Sequence, residues 1–166
     1  LPRATSGMMA ENPETDGGTV RARMALPTLA ATEALGTAIA RGLKAGDAVA
    51  LWGDLGAGKT TLARAVLKAL GVTGEVPSPT FTIVQVYETP SLLVSDYDLY
   101  RLKSPREMAE LGFEDALDQG AVLVEWPERA PEALPPGTLH VRMALADGTR
   151  TARITGPARW RELANV

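Results

Sequence analysis

The chain of 166 residues contains no cysteine. That absence excludes disulfides, thiolate metal sites and cysteine nucleophiles together. It agrees with a cytoplasmic location, which is the expected compartment. No apolar run approaches the ~18 residues that a membrane helix requires. No charged segment leads through an apolar stretch to a small-residue cleavage site, so no secretory signal is expected either. The formal net charge is −3, which argues against a general nucleic-acid coat. Asparagine occurs only at Asn12 and Asn165, and neither precedes a lysine. An Asn-Lys-x-Asp segment for reading guanine is therefore missing, and any nucleotide reading turns toward ATP.

What remains is the composition of an ordinary globular domain, 45% hydrophobic and 22% charged, long enough to bury a core. Charge is unevenly spread along it. From Glu88 to Glu132 there are 11 acids against Arg101, Lys103, Arg106 and Arg129. From His140 to Arg161 there are Arg142, Arg150, Arg153, Arg159 and Arg161 against the single acid Asp147. Two solvated faces are the plain reading, and surfaces for different partners are the other.

Residues 1–23 mix Pro, Gly, Thr and Glu without periodicity and are expected to be a disordered tail or a remnant of cloning. The folded domain is expected over 24–166. Leu35, Ile39 and Leu43 recur at helical spacing, so Thr28 to Leu43 predicts an amphipathic helix. Ala48 to Trp52 reads as a buried strand. Lys59 to Leu70 reads as a strong helix closed by Gly71. Phe81 to Tyr87 and Leu92 to Val94 read as strands. Ser104-Pro105 opens a helix that Gly112 ends. Ala121 to Glu125 is a buried strand finishing on a carboxylate. Leu139 to Leu145 and Arg150 to Thr155 flank Asp147-Gly148 as an antiparallel hairpin. The fold class is α/β: a single P-loop NTPase domain with a mixed sheet flanked by helices and an antiparallel C-terminal hairpin.

One motif carries the chemistry. Gly53-Asp54-Leu55-Gly56-Ala57-Gly58-Lys59-Thr60 fits G-x-x-x-x-G-K-[ST], the Walker A pattern, at every fixed position. Its glycines let backbone approach a phosphate without an intervening Cβ, and successive N–H groups form an anion-binding concavity. The following helix adds its positive end. Lys59 is placed for the β- and γ-phosphates of ATP, and the Thr60 hydroxyl for Mg²⁺. The strand before it and the helix after it are the context the motif needs.

Such a site needs a further carboxylate, and strand ends are where to look for it. Glu125 closes Ala-Val-Leu-Val and Asp98 follows Leu-Leu-Val-Ser-Asp-Tyr; a solvated acid or a cap is the alternative for each. Thr80, in the polar turn Ser78-Pro79-Thr80, is a candidate hydroxyl for closing over the γ-phosphate. Arg101, Lys103 and Arg106 suit either a basic lid of a small-molecule kinase or plain helix-end solvation.

The motifs taken together resemble one family. Gly-Asp-Leu-Gly-Ala-Gly-Lys-Thr-Thr at 53–61, Ser-Pro-Thr-Phe-Thr-Ile-Val at 78–84, Asp-Leu-Tyr-Arg-Leu at 98–102 and Val-Glu-Trp-Pro-Glu at 124–128 are similar to the TsaE (YjeE) family. Its members are ATPases of bacterial tRNA threonylcarbamoyladenosine (t6A) synthesis. The resemblance implies that Gly53, Gly56, Ala57, Gly58, Lys59, Thr60 and Thr61 hold the phosphates. It implies Thr60 and Glu125 as Mg²⁺ ligands, Lys59, Asp98 and Thr80 as catalytic residues, and Trp126 beside the nucleotide. The segment Thr28 to Thr32 is implied near the adenine. Partners would be TsaB and TsaD, with TsaD transferring the threonylcarbamoyl group to adenosine 37 and tRNA contact indirect. Two positions depart from the family: Asp96 stands where His is usual, and Gln85 where Glu is usual. The first puts a proton-relay role there in doubt and adds an acid near the metal. A kinase and a nucleotide-dependent binding module without turnover are the competing readings.

Overall fold

The computed structural model describes residues 14–16, 18–74 and 82–166. Thr80 lies outside the described residues. In chain order the elements are β1 (Glu14–Asp16), β2 (Thr19–Leu26), α1 (Leu29–Gly42), β3 (Ala48–Trp52), α2 (Lys59–Ala69), β4 (Val84–Glu88), β5 (Leu93–Asp98), α3 (Glu107–Glu110), α4 (Phe113–Gln119), β6 (Ala121–Glu125), β7 (Leu139–Ala146) and β8 (Thr149–Pro157). Short 3₁₀ turns follow β5, β6 and β8.

The strands form one sheet in the order β1-β2-β8-β7-β3-β6-β5-β4. Its centre, β7-β3-β6-β5, is parallel. The β1-β2-β8-β7 side and the β4 edge are antiparallel. The central strands are apolar runs because helices cover both faces there. Leu35 and Ile39 of α1 and Leu62, Val66 and Leu67 of α2 pack on Val49, Leu51 and Leu123. On the opposite face Met108 and Phe113 pack on Tyr97, Val122 and Val124.

Among the described residues the antiparallel side is covered on one face only. Ala22, Met24 and Leu26 of β2, Val141 and Met143 of β7 and Ala152 and Ile154 of β8 join the α1–α2 core. Trp160 and Leu163, from the 3₁₀ turns at Ala158–Asn165, complete that layer. The alternate residues Arg21, Arg23, Arg142 and Arg153 are exposed on the uncovered face.

Local signals account for most boundaries. The Thr28 hydroxyl caps α1 by accepting from the Ala31 amide at 3.1 Å. Ser104 and Glu107 form a reciprocal capping pair: the Ser104 hydroxyl accepts from the Arg106 amide at 3.3 Å, and the Glu107 carboxylate accepts from the Ser104 amide at 3.0 Å. Asp147 and Gly148, with φ of 53° and 78°, make the tight turn expected between β7 and β8.

Four features differ from the sequence reading. β2 starts at Thr19, within the stretch read as tail, because Val20, Ala22, Met24 and Leu26 alternate inward against β8. β5 runs on through Ser95 to Asp98, since pairing on both sides holds polar residues in the strand. The helix begun at Ser104 ends before Gly112 as read, but a second helix, α4, which the sequence reading did not name, starts directly after that glycine at φ 70°. The C-terminal 3₁₀ turns gave no periodic signal.

Candidate active site

The loop between β3 and α2 sits at the carboxyl end of a central strand, where α/β sheets place their ligands. Its glycines are required by its shape. Gly53 has φ 147°, and a Cβ there would lie 2.6 Å from the Met143 carbonyl oxygen. Gly58 has φ 109° and precedes the first turn of α2. Gly56 also takes a positive φ, of 82°. Inside the loop the Ala57 amide donates to the Asp54 carbonyl at 3.0 Å. The first helical bond of α2 runs from the Leu62 amide to the Gly58 carbonyl. Helix geometry leaves the amides of Gly58, Lys59, Thr60 and Thr61 without intrahelical partners, the arrangement that binds a phosphate.

Lys59 is 5% exposed. Its ammonium donates to the Gly53 carbonyl and stands 3.4 Å from the centroid of the Trp126 ring. Burial lowers its pKa, while Glu128, Glu125, Asp98 and Asp54 pull it back up. Trp126 has φ 59°, a left-handed backbone seldom taken by a bulky residue, and its ring packs on Tyr100 at 4.9 Å.

The acids converge from adjacent strands. The Thr60 hydroxyl donates to Glu125 Oε1 at 2.8 Å. Glu125 is 1% exposed and Asp96 7%. Asp98 stands opposite Glu125 in the β5–β6 register, and one of its oxygens accepts from the Tyr100 amide at 3.1 Å. Among the described residues no N–H or hydroxyl donor reaches Asp96 Oδ1 or Glu125 Oε2. Burial first, then the charges of Glu125 and Asp98, hold the Asp96 carboxyl well above the usual carboxylate range. Glu125 is also raised, by burial against the Thr60 hydrogen bond.

A family model described as "Threonylcarbamoyl adenosine biosynthesis protein TsaE" matches residues 26–154. The chain belongs to the TsaE family. The tRNA threonylcarbamoyladenosine biosynthesis protein TsaE of Rickettsia typhi is 43% identical over 112 residues, covering 67% of this chain and 78% of that one. The protein of the same description from Streptomyces coelicolor is 40% identical over 132 residues, covering 74% of this chain and 88% of that one. The crystal structure of YdiB from Bacillus subtilis superposes with a TM-score of 0.71 at 30% identity, over 96% of this chain and 95% of that one.

The TsaE motif residues Gly53, Gly56, Ala57, Gly58, Lys59, Thr60, Asp98, Glu125 and Trp126 are thus adjacent in the fold. Thr61 is exposed on the first turn of α2. Thr32 is buried, and Thr28 has its hydroxyl engaged as a cap. Arg101, Lys103 and Arg106 are exposed between β5 and α3. Two residues escaped the sequence reading. Glu128 is the acid acting most strongly on Lys59, yet its position in Val-Glu-Trp-Pro-Glu carried no separate signal. Arg150 reaches from β8 to the loop, its guanidinium donating to the Gly56 carbonyl at 3.4 Å. It comes from across the sheet, 94 residues along the chain from its partner, beyond the reach of any motif.

The buried acids give this TsaE-family chain a pH dependence of definite sign. A folded-state pKa raised above the unfolded value contributes stability at low pH and loses it as pH rises through the folded value. Asp96 is such a group, and it is buried beside a second raised acid. Asp96→Asn removes the titration while keeping the shape. Thermal melts from about pH 4, the ordinary carboxylate range, up to pH 9 are therefore expected to show a larger fall in Tm for the parent than for Asp96→Asn. Parallel curves would contradict the charge pairing.

Proposed function

We propose that this chain is the ATP-binding and hydrolysing subunit of the tRNA t6A modification machinery, acting with TsaB and TsaD in the cytoplasm. One observation carries the chemical part: the Thr60–Glu125 hydrogen bond of 2.8 Å joins the helix after the phosphate loop to a strand-end carboxylate. Family membership supports the pathway.

The residues fit Mg²⁺. Among the described residues no N–H or hydroxyl donor reaches the buried Glu125 Oε2 and Asp96 Oδ1, and the Thr60 hydroxyl bonds the other Glu125 oxygen. Among the described residues no three of His, Asp and Glu gather as a metal cage. Mg²⁺ needs no such cage, since it takes one or two protein carboxylates along with phosphate oxygens. Thr60 and Glu125 would hold it; when bound, it would supply positive charge to offset that of the nucleotide phosphates. The loop amides orient the phosphates, and Lys59 meets the charge that develops on them. Asp98 orients the attacking water, and the Trp126 ring shields Lys59 from solvent.

The kinase alternative has no support in the relatives named above, which are described as TsaE proteins. Phosphate release is the deciding measurement. Alone, the chain is expected to bind ATP and hydrolyse it slowly. With TsaB and TsaD from the same source the rate should rise at least several-fold, and ATP should tighten the complex in return, as linkage requires. An unchanged rate together with ATP-independent association would refute the proposal, and transfer of phosphate to an acceptor would install the kinase.

A further inference from the structure

The uncovered face of the antiparallel side is a second feature that calls for a ligand. Register sets Arg23 opposite Arg153 and Arg153 opposite Arg142, so three arginines stand in one row across β2, β8 and β7. Arg21 lies two residues along β2. With Thr155 these residues line a cleft of about 360 Å³. Like charges directly opposite each other on a sheet are destabilising. Nothing on the same strands offsets them: β2, β7 and β8 contain no acid. Among the described residues none of the four arginines forms an ion pair. By register β1 sets Glu14 opposite Arg21, at the outer margin of the row.

We propose that this arginine row binds the phosphodiester backbone of RNA, with tRNA its natural ligand. The chemistry favours phosphate. Every charge in the row is a guanidinium, whose planar fork holds phosphate oxygens in pairs. Steps of about 5 Å between strands and about 7 Å between alternate residues match the repeat of a nucleic-acid backbone better than a single anion. An aromatic group closes the inner end. Arg142 stacks on Trp52 at 4.7 Å, and the Trp52 indole donates to His140 Nδ1 at 3.0 Å. Half-buried and held from two sides, Trp52 offers the kind of ring on which an unpaired base stacks. Membership in a tRNA-modification family makes RNA the polyanion at hand, and in that respect the inference rests on the proposed function. It goes beyond the indirect tRNA contact expected from the sequence.

The test is fluorescence polarisation with a labelled, unmodified tRNA transcript and the full chain, between about 50 and 200 mM salt. The parent should bind with a steep salt dependence. The triple variant Arg23→Gln, Arg142→Gln, Arg153→Gln should bind at least tenfold more weakly, with the slope of log K against log salt shallower by about two to three. Its Tm should equal or exceed the parent's, because removing opposed like charges relieves repulsion. The double variant Arg41→Gln, Lys68→Gln, on the helical face, should bind like the parent. Should the triple variant be unstable, Arg153→Gln alone should still weaken binding about threefold. The proposal is overturned by unchanged affinity in the arginine variants, by equal loss in the helical-face variant, or by an absence of tRNA binding at low salt. It is equally overturned if poly-glutamate displaces tRNA at matched charge, which would assign the row to an acidic protein. Because ATP turnover with TsaB and TsaD is read separately, failure here and failure of the proposed function are distinguishable.

Discussion

Lys59→Ala is expected to lower kcat/KM for ATP by roughly 10²- to 10³-fold, the scale for removing one preorganised charge from a reacting group. Lys59 follows the last loop glycine, is 5% exposed, and has its ammonium held between the Gly53 carbonyl and the Trp126 ring. Four acids act on it: Glu128, Glu125, Asp98 and Asp54. Alanine removes the cation and leaves those acids facing the incoming phosphates, so repulsion adds to the lost attraction. Binding and turnover should therefore fall together. Calorimetry with ATP and steady-state phosphate release check this, with Tm as the control for folding. Parent-like affinity and rate would end the phosphate-site assignment.

The second large effect separates two carboxylates. Asp98→Asn should keep ATP affinity within about threefold and lose hydrolysis by about 10²-fold or more, the range for a positioned base. Asp98 is half-buried at the end of β5, and its amide isostere can still accept the Tyr100 amide. Glu125→Gln should instead raise the Mg²⁺ concentration for half-maximal activity about tenfold, because a charged ligand becomes neutral while the Thr60 contact survives. Magnesium titrations at saturating ATP distinguish the two. If Asp98→Asn shifts the magnesium requirement and Glu125→Gln does not, the roles are reversed.

How much of this was legible before any coordinates depended on the range of the interactions. The phosphate loop was legible because its function is written in consecutive residues: glycines where φ is positive, then Lys59 and Thr60 heading a helix. Strand-end acids were legible because Ala121 to Glu125 is an apolar run with an abrupt carboxylate. The course of β5 was not, since Ser95 and Asp96 look like a turn until β4 and β6 are known to flank them. β2 was lost among the residues of the tail because Val20, Ala22 and Met24 make an alternation only when β8 supplies the other side. Glu128 and Arg150 act at a distance in the chain, and no local pattern encodes them. Family resemblance supplied what local physics could not, the pairing of Asp98 with Glu125 around one site.

The contact between the phosphate loop and the C-terminal hairpin sets the timetable of the protein's birth. Gly53 closes against the Met143 carbonyl, and Arg150 braces Gly56 from β8. A ribosome releases the loop long before either partner has been made. The nascent chain thus holds a complete phosphate-binding motif without the wall that shapes it. The loop gains its full wall only once β7 and β8 have been synthesised and have paired, so nucleotide is expected to bind late rather than to template folding early. A fragment halted before β7 would carry the signature residues without the wall that Met143 and Arg150 provide.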